Sequence, residues 1–213
     1  MTTEPAGLRE RKKQATRRAL REAALRLALE RGPDNVRVDD IAEAAGVSPR
    51  TYNNYFSSRE QAIVAAVIAD RGSRVAAAVA GRPANVGLAD AVIDAIVEQY
   101  AEPGEDARNA LLMITTRPAL RDAFIDAATA VERPLAEAIA GRLGETHDHT
   151  PRVLAASVAA AVHVALERWL QPAGASLVTD ELVVSSGSLP ELLRSVLAPL
   201  RPALDAAASA GTE

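Results

Sequence analysis

A short polar segment, PRTYNNYF at positions 49–56, carries the side chains in this sequence best suited to bind another molecule. Its guanidinium, hydroxyl and carboxamide groups can donate and accept hydrogen bonds at the edges of DNA bases. These groups belong to Arg50, Thr51, Asn53 and Asn54. Three of the chain's six aromatic residues lie in the same segment, namely Tyr52, Tyr55 and Phe56. We interpret Tyr52 and Phe56 as core residues that position the polar side chains rather than as DNA contacts.

Catalytic and metal-binding chemistry has little support in the sequence. The absence of cysteine excludes disulfides, zinc-finger ligand sets and thiol nucleophiles. His147-Asp148-His149 contains metal-ligand types, but no third ligand stands nearby, so we interpret it as a solvated turn. No nucleophile–base pair, P-loop or dinucleotide fingerprint occurs. We therefore expect no enzyme activity, no metal and no cofactor.

Charge is distributed unevenly along the chain. Residues 1–60 contain 12 Lys and Arg against 9 Asp and Glu, whereas the remainder is net negative. Eight of those cations fall between Arg9 and Arg26, which suits an anionic partner near the start of the chain. A solvated helix face would show the same pattern, and charge alone does not separate the two interpretations.

Neither a membrane span nor a secretory signal is expected. Charged residues, Gly or Pro interrupt each apolar stretch before it reaches the roughly 18 residues of a span. The basic N-terminus is not followed by the apolar segment of a signal peptide. The sequence therefore predicts a cytoplasmic protein without a membrane partner.

The elements that position the polar segment are helices. Apolar residues spaced three and four apart predict a first helix over 9–31, and Asp39 and Asp40 suit the first turn of a second helix over 38–45. Gly46 ends that helix, and Ser48-Pro49 supplies an N-cap and a first-turn proline for a third helix over 49–55. A fourth helix is expected from Arg59 towards Gly81. Two short helices joined by a glycine-containing turn form a helix-turn-helix, whose second helix enters the DNA major groove.

The second half of the chain also has a helical pattern and no strand pattern. Helices are expected at about 86–101, 106–116, 118–143, 151–171 and 188–204. Pro134 should kink the third of these near Val131. Residues 172–187 form the longest predicted loop.

The stretch VRVDDIAEAAGVSPRTYNNYFSSRE, residues 36–60, resembles the DNA-binding signature of TetR-type bacterial transcriptional regulators. The resemblance covers about 50 residues, Arg9 to Ile63. It implies an all-α fold with an N-terminal three-helix helix-turn-helix DNA-binding domain and a C-terminal helical ligand-binding and dimerisation domain. The implied limits are a flexible arm at 1–8, the DNA-binding domain at 9–56 and the regulatory domain at 57–213.

The resemblance also implies DNA-contacting residues. Arg37, Tyr55 and Arg59 match positions that usually touch phosphates, and Ser48 precedes the recognition helix. The positions usually nearest base edges are Pro49, Arg50, Thr51 and Asn53. The family often has aromatic residues where this chain has Asn53 and Asn54, which leaves phosphate contacts there in doubt and leaves open a bidentate contact from asparagine to adenine.

The predicted helices 151–171 and 188–204 are apolar on more than one face, so they must be buried. A wholly intramolecular core and an interface with a second subunit both satisfy this requirement. The family resemblance favours a homodimer built from these two helices as a four-helix bundle.

Several residues could line a ligand cavity in the C-terminal part, although ordinary core packing explains each equally well. The apolar candidates are Tyr100, Met113, Phe124 and Trp169, and the polar candidates are Asn109, Arg117, Arg121 and His163. The YNNYF form of the recognition helix resembles a TetR subgroup that binds fatty-acyl or acyl-thioester-like ligands. The resulting prediction is a repressor that binds a palindromic operator as a dimer and is released by a small hydrophobic effector. The alternatives are a DNA-binding regulator without a ligand, controlled by a protein partner, and an enzyme with a borrowed DNA-binding domain.

Overall fold

The computed structural model describes residues 4–69, 71–101, 105–144, 149–170 and 188–210, and every regular element within these ranges is helical. The α-helices are α1 (Glu4–Arg31), α2 (Val38–Ala44), α3 (Pro49–Tyr52), α4 (Arg59–Val67), α5 (Arg71–Gly81), α6 (Leu88–Ala101), α7 (Glu105–Thr116), α8 (Pro118–Asp126), α9 (Glu132–Leu143), α10 (Thr150–Leu170), α11 (Leu189–Leu197) and α12 (Arg201–Ala210). Short 3-10 helices cover Pro33–Asn35, Ala127–Val131 and Ala198–Leu200. The all-α prediction is confirmed.

These helices form two compact units. The first contains the described residues up to 69 together with 105–124, which places α7 and most of α8 with α1 to α4. The second contains the described residues of 70–104 and 125–213. The predicted domain limits at 9–56 and 57–213 stay a prediction.

In the first unit, one face of α1 supplies much of the core. Leu20, Ala24 and Leu27 recur at helical spacing and are at most 2% exposed. This face packs against α4, and α1 also contacts α2, which in turn contacts α3. The helix begins at Glu4, five residues before the predicted start.

The predicted helix from Arg59 towards Gly81 is two helices, α4 and α5. On one continuous helix, the buried Ile63 and Val75 would point about 120° apart. The two residues are buried in different units, Ile63 in the first and Val75 in the second. The chain instead ends α4 at Val67 and turns through Ile68 and Ala69.

Two other predicted helices are also divided, in both cases near proline. The predicted helix 118–143 is α8, a 3-10 helix and α9, and the change at Val131 falls where Pro134 predicts a kink. The predicted helix 188–204 ends at Leu197 and resumes as α12, because Pro199 and Pro202 lack the N–H groups that a continuous helix needs.

Arg142 holds the connection between α5 and α6 in the second unit. Its guanidinium donates to four backbone carbonyl oxygens, at 3.3 Å to Val79, 2.9 Å to Arg82, 3.4 Å to Pro83 and 2.7 Å to Val86. One side chain on α9 therefore bonds a carbonyl in the last turn of α5 and three carbonyls in the segment that follows it.

Helix α10 lies at the centre of the second unit, in contact with α9 and α11. It is long and apolar enough to cross a membrane, with a mean hydropathy of 1.5 over 18 residues. The expectation that no apolar segment reaches the length of a membrane span was therefore wrong. Leu154, Val158 and Val162 on this helix are buried within the unit. We therefore assign its apolar character to packing in the helical core.

Candidate DNA-binding site

The turn between α2 and α3 depends on Gly46. Its φ of 68° lies in the left-handed region, which costs a residue with a Cβ roughly 1–2 kcal/mol. This conformation lets the Val47 N–H donate to the Ala42 carbonyl at 2.9 Å and close the end of α2. The glycine that the sequence assigns to the helix-turn-helix turn therefore has a direct conformational reason.

Ser48 begins α3 as the N-cap that the sequence predicts. Its Oγ accepts from the Thr51 backbone N–H at 3.2 Å and lies 3.0 Å from the Thr51 Oγ1. Pro49 follows in the first turn, where its missing N–H costs nothing. The cap fixes the start of a helix that has only four residues.

Buried aromatic rings anchor α3 from below. Tyr52 is fully buried, Phe56 is 2% exposed, and their ring centroids are 5.8 Å apart, which confirms both as core residues. The Tyr52 hydroxyl donates to the Ser58 carbonyl at 2.7 Å and ties α3 to the start of α4. Burial, with a smaller effect of the negative Glu60, raises the pKa of Tyr52 to about 12, so its hydroxyl stays protonated at neutral pH.

The residues beside Tyr52 and Phe56 form an exposed, largely polar surface, here called the recognition surface. It consists of Ser48, Pro49, Arg50, Asn53 and Asn54, all of them exposed. The half-buried Thr51 and Tyr55 border it, and Arg37 is exposed at the start of α2. Asn53 to Tyr55 lie in a turn after α3, not in the helix as predicted. The arrangement offers guanidinium and carboxamide groups on a support that the core holds in place.

Arg59 has a structural role that sequence reasoning missed. Its Nη1 donates to the carbonyl oxygens of Asp34 at 3.1 Å and Val36 at 2.9 Å, and its Nε donates to Glu60 at 2.7 Å. Although burial favours the protonated form of Glu60, hydrogen bonds from Arg59, from the Glu60 backbone N–H and from Ser58, together with the charge of Arg59, outweigh it and lower the pKa of Glu60. Arg59 therefore ties α4 to the segment before α2, while its predicted contact with phosphate stays a prediction.

A second arginine reaches the same segment from the turn between α7 and α8. The Arg117 Nε lies 3.1 Å from the Asp34 Oδ2, inside the first unit. Arg117 was predicted to face a ligand, and the structure gives it an ion-pair partner within the chain. Contacts between residues 83 positions apart leave no local sequence signal.

The other predicted ligand residues divide between the two units. In the first unit, Met113 and Phe124 are buried, Asn109 is exposed, and Arg121 donates to the Thr115 carbonyl at 3.1 Å. In the second unit, His163 and Trp169 are half-buried on α10. The Tyr100 ring there lies 4.3 Å from the Arg71 guanidinium, and burial, partly offset by this arginine, raises the pKa of Tyr100.

A groove of about 300 Å³ lies between α1 and α2. None of the eight predicted ligand residues lines it.

The predicted metal candidates receive no further support. His147 and Asp148 lie outside the described residues, and His149 is exposed. Among the residues that the structure describes, no three histidine or carboxylate side chains are grouped as metal ligands.

Two family models match the chain. The model described as bacterial regulatory proteins, tetR family, matches residues 20–67, which include the helix-turn-helix. The model described as the MftR C-terminal domain, a TetR-type C-terminal domain, matches residues 82–205, more than half of the chain. This chain belongs to the TetR family of bacterial transcriptional regulators.

Individual proteins are also similar to this chain. The HTH-type transcriptional regulator TcmR of Streptomyces glaucescens is 30% identical over 202 residues, which cover 90% of this chain and 88% of TcmR. A Rhodococcus protein assigned to the TetR-family regulators is 22% identical, with a TM-score of 0.45 over 90% of this chain and 99% of the other. NalD of Pseudomonas aeruginosa, the secondary repressor of the MexAB-OprM efflux pump, is 19% identical, with a TM-score of 0.39 over 92% of this chain and 98% of NalD. The chain is thus a DNA-binding TetR-family regulator, and regulators of this family are generally not enzymes.

Proposed function

We propose that this regulator is a cytoplasmic repressor that binds a palindromic operator as a homodimer and is released by a small hydrophobic effector. The observation that carries the DNA-binding part is the exposed recognition surface on an α3 anchored by Tyr52 and Phe56. A rigid support lowers the entropy cost of holding polar side chains against bases.

Within this proposal, side chains of α3 and of the turn after it read bases, and Arg37, Tyr55 and Arg59 touch phosphates. The base-reading residues are Pro49, Arg50, Thr51 and Asn53. The flanking residues are Arg37, Ser48, Asn54, Tyr55 and Arg59. Arg50 is the strongest candidate for sequence discrimination, because an exposed guanidinium can bond two acceptors of guanine at once.

The homodimer is proposed to form through residues 151–171 and 188–204, and an exposed stripe on α10 supports it. Val153, Ala156, Ala160 and Val164 follow one another at helical spacing and are all exposed, with Val153 at 61% and Val164 at 51%. Small residues at the centre of the stripe let two helices approach closely. Ala159, in contrast, is 2% exposed and packs within its own chain, so it is not part of the exposed stripe.

A charge in this stripe tests the dimer. Ala160→Glu would bury an unpaired carboxylate at the interface, so the full-length variant should run at its monomer mass of 22.4 kDa in light scattering while the wild type runs at twice that mass. Ala77→Glu places the same charge at an exposed alanine on α5 and should leave the dimer intact. A dimeric Ala160→Glu variant would show that the interface lies elsewhere.

In the first unit, the buried Met113 and Phe124 support the effector part of the proposal. The effector class, acyl-thioester or fatty-acid-like, comes from the resemblance of the recognition helix alone. Differential affinity for two states of the protein would release the DNA by shifting their populations. Linkage then requires the DNA to weaken effector binding by the same factor.

One observation favours the alternative of a regulator controlled by a protein partner. Arg117 pairs with Asp34 and Arg121 donates to a backbone carbonyl, so two polar side chains predicted to line the effector cavity already have partners in the chain. Titrating long-chain acyl thioesters, fatty acids and aromatic drugs into the protein–DNA complex distinguishes the two. Release by one class supports the effector, and no release by any of them supports the protein partner.

A further inference from the structure

The first turns of α1 project beyond the core of the first unit. From Gly7 to Arg18 every residue is exposed except the half-buried Thr16, and the first buried position is Leu20. The tetR-family model also begins its match at residue 20. This part of α1 therefore lies outside the residues that the family model matches, and core packing does not explain its sequence.

Four of the six cations of this segment lie on one face. Arg9, Lys12, Lys13 and Arg17 are spaced at i, i+3, i+4 and i+8, which places them together on an α-helix. The same spacing continues through Leu20 and onward along the buried face of α1. The face that packs into the core thus extends past its edge as a cationic stripe, here called the basic overhang.

Arg17 links the basic overhang to the helix-turn-helix through a contact with Phe56. Its guanidinium lies 5.4 Å from the centroid of the Phe56 ring. Phe56 follows the recognition surface by two residues in the sequence. Arg9 lies eight residues further along the helix, about 12 Å away at 1.5 Å per residue. One DNA strand presents about three to four phosphates over that length of axis.

We propose that the basic overhang is a second DNA-binding site, in which Arg9, Lys12, Lys13 and Arg17 contact phosphates beside the bases read by the recognition surface. The inference rests on the proposed placement of DNA at that surface. Charge complementarity and the contact of Arg17 with Phe56, two residues after the recognition surface, select duplex DNA as the occupant. A lipid surface would require apolar side chains on the same face, and positions 9, 12, 13, 16 and 17 carry none. Phosphate contacts of this kind are independent of base sequence.

The test is the salt dependence of DNA binding by the full-length variant Lys12→Gln/Lys13→Gln. Each lost phosphate contact lowers the slope of log K against log salt by about 0.9, so the double variant should lose about 1.8. The loss of affinity should be the same fold on a duplex selected by the wild-type protein and on a random duplex. Both side chains are exposed, so the circular dichroism and melting temperature should not change.

Arg11→Gln/Arg18→Gln is the matched control. It removes the same net charge from the opposite face of the same helix, and Arg18 there pairs with Glu22 at 2.7 Å. Its slope should change by less than half as much as that of the lysine pair. Equal slopes for the two variants, or no change in either, would overturn the proposal.

Duplex length provides a second readout. The difference between wild type and Lys12→Gln/Lys13→Gln should disappear on a duplex trimmed to the bases that the recognition surface protects, and its persistence there would contradict the proposal. Because the overhang acts on any sequence, random duplex DNA measures it even if the protein selects no preferred site. A result in which the basic overhang does not contact DNA is therefore distinguishable from one in which the recognition surface does not read bases.

Discussion

Replacing Arg59 tests whether this side chain holds α4 against the segment before α2, independently of any contact with DNA. Arg59→Ala removes two charge-assisted hydrogen bonds to the carbonyls of Asp34 and Val36 and the ion pair with Glu60. The Arg59 side chain is 32% exposed, so each hydrogen bond is assigned about 1 kcal/mol, below the usual range for charged donors, and the partly solvated ion pair adds little. The variant should lose about 2 kcal/mol of unfolding free energy.

Thermal unfolding followed by circular dichroism measures this loss. For a chain of this size, about 2 kcal/mol corresponds to a decrease in Tm of about 4–8 °C. Arg59→Lys keeps the charge but not the forked donors, so its decrease should be smaller. Arg50→Ala, at an exposed position, should leave the Tm unchanged. An unchanged Tm for Arg59→Ala would refute the positioning role, whereas a salt slope of DNA binding lowered by about one unit is expected from the proposed phosphate contact.

Three further substitutions test individual features of the fold. Gly46→Ala should cost about 1 kcal/mol in urea unfolding, because no atom crowds the added Cβ and only the positive φ opposes it; an unchanged stability would contradict the strained turn. Tyr52→Phe should cost about 1 kcal/mol at pH 7. The raised pKa of Tyr52 also means that its contribution to stability is complete below pH 10 and is lost as the pH rises towards 12, so the variant should lack that part of the pH dependence. Arg142→Met should lower the unfolding free energy by about 3 kcal/mol. Arg133→Met on the same helix, at a side chain 91% exposed, should lower it by less than about 1 kcal/mol, and equal effects would show that the carbonyl contacts of Arg142 contribute little.

The helix-turn-helix was predictable because its signals are local. Ser48 caps α3 within three residues, and Gly46 ends α2 through a conformation that its own backbone adopts. The split between core and surface in PRTYNNYF was also readable from residue types. Tyr52 and Phe56 are buried, and Arg50 is exposed beside them.

Contacts between distant segments were not predictable. Arg59, Arg117 and Arg142 each bond a segment more than 20 residues away, and nothing beside them in sequence indicates which carbonyl or carboxylate they meet. The distinction between Ala159 and Ala160 likewise depends on which face of α10 the chain covers itself. An alanine-rich helix carries too little side-chain variation to mark that face.

The central claim is that the recognition surface reads DNA sequence through Arg50. The most direct measurement compares the Kd of wild type and Arg50→Ala on two duplexes at one salt concentration. One duplex carries the inverted half-sites selected by the wild-type protein from a random pool, and the other carries the same bases scrambled. The account predicts that Arg50→Ala loses about 1–3 kcal/mol on the selected duplex, roughly 5- to 150-fold, and little on the scrambled one. Equal losses on the two duplexes, or a wild-type protein that does not distinguish them, would contradict it.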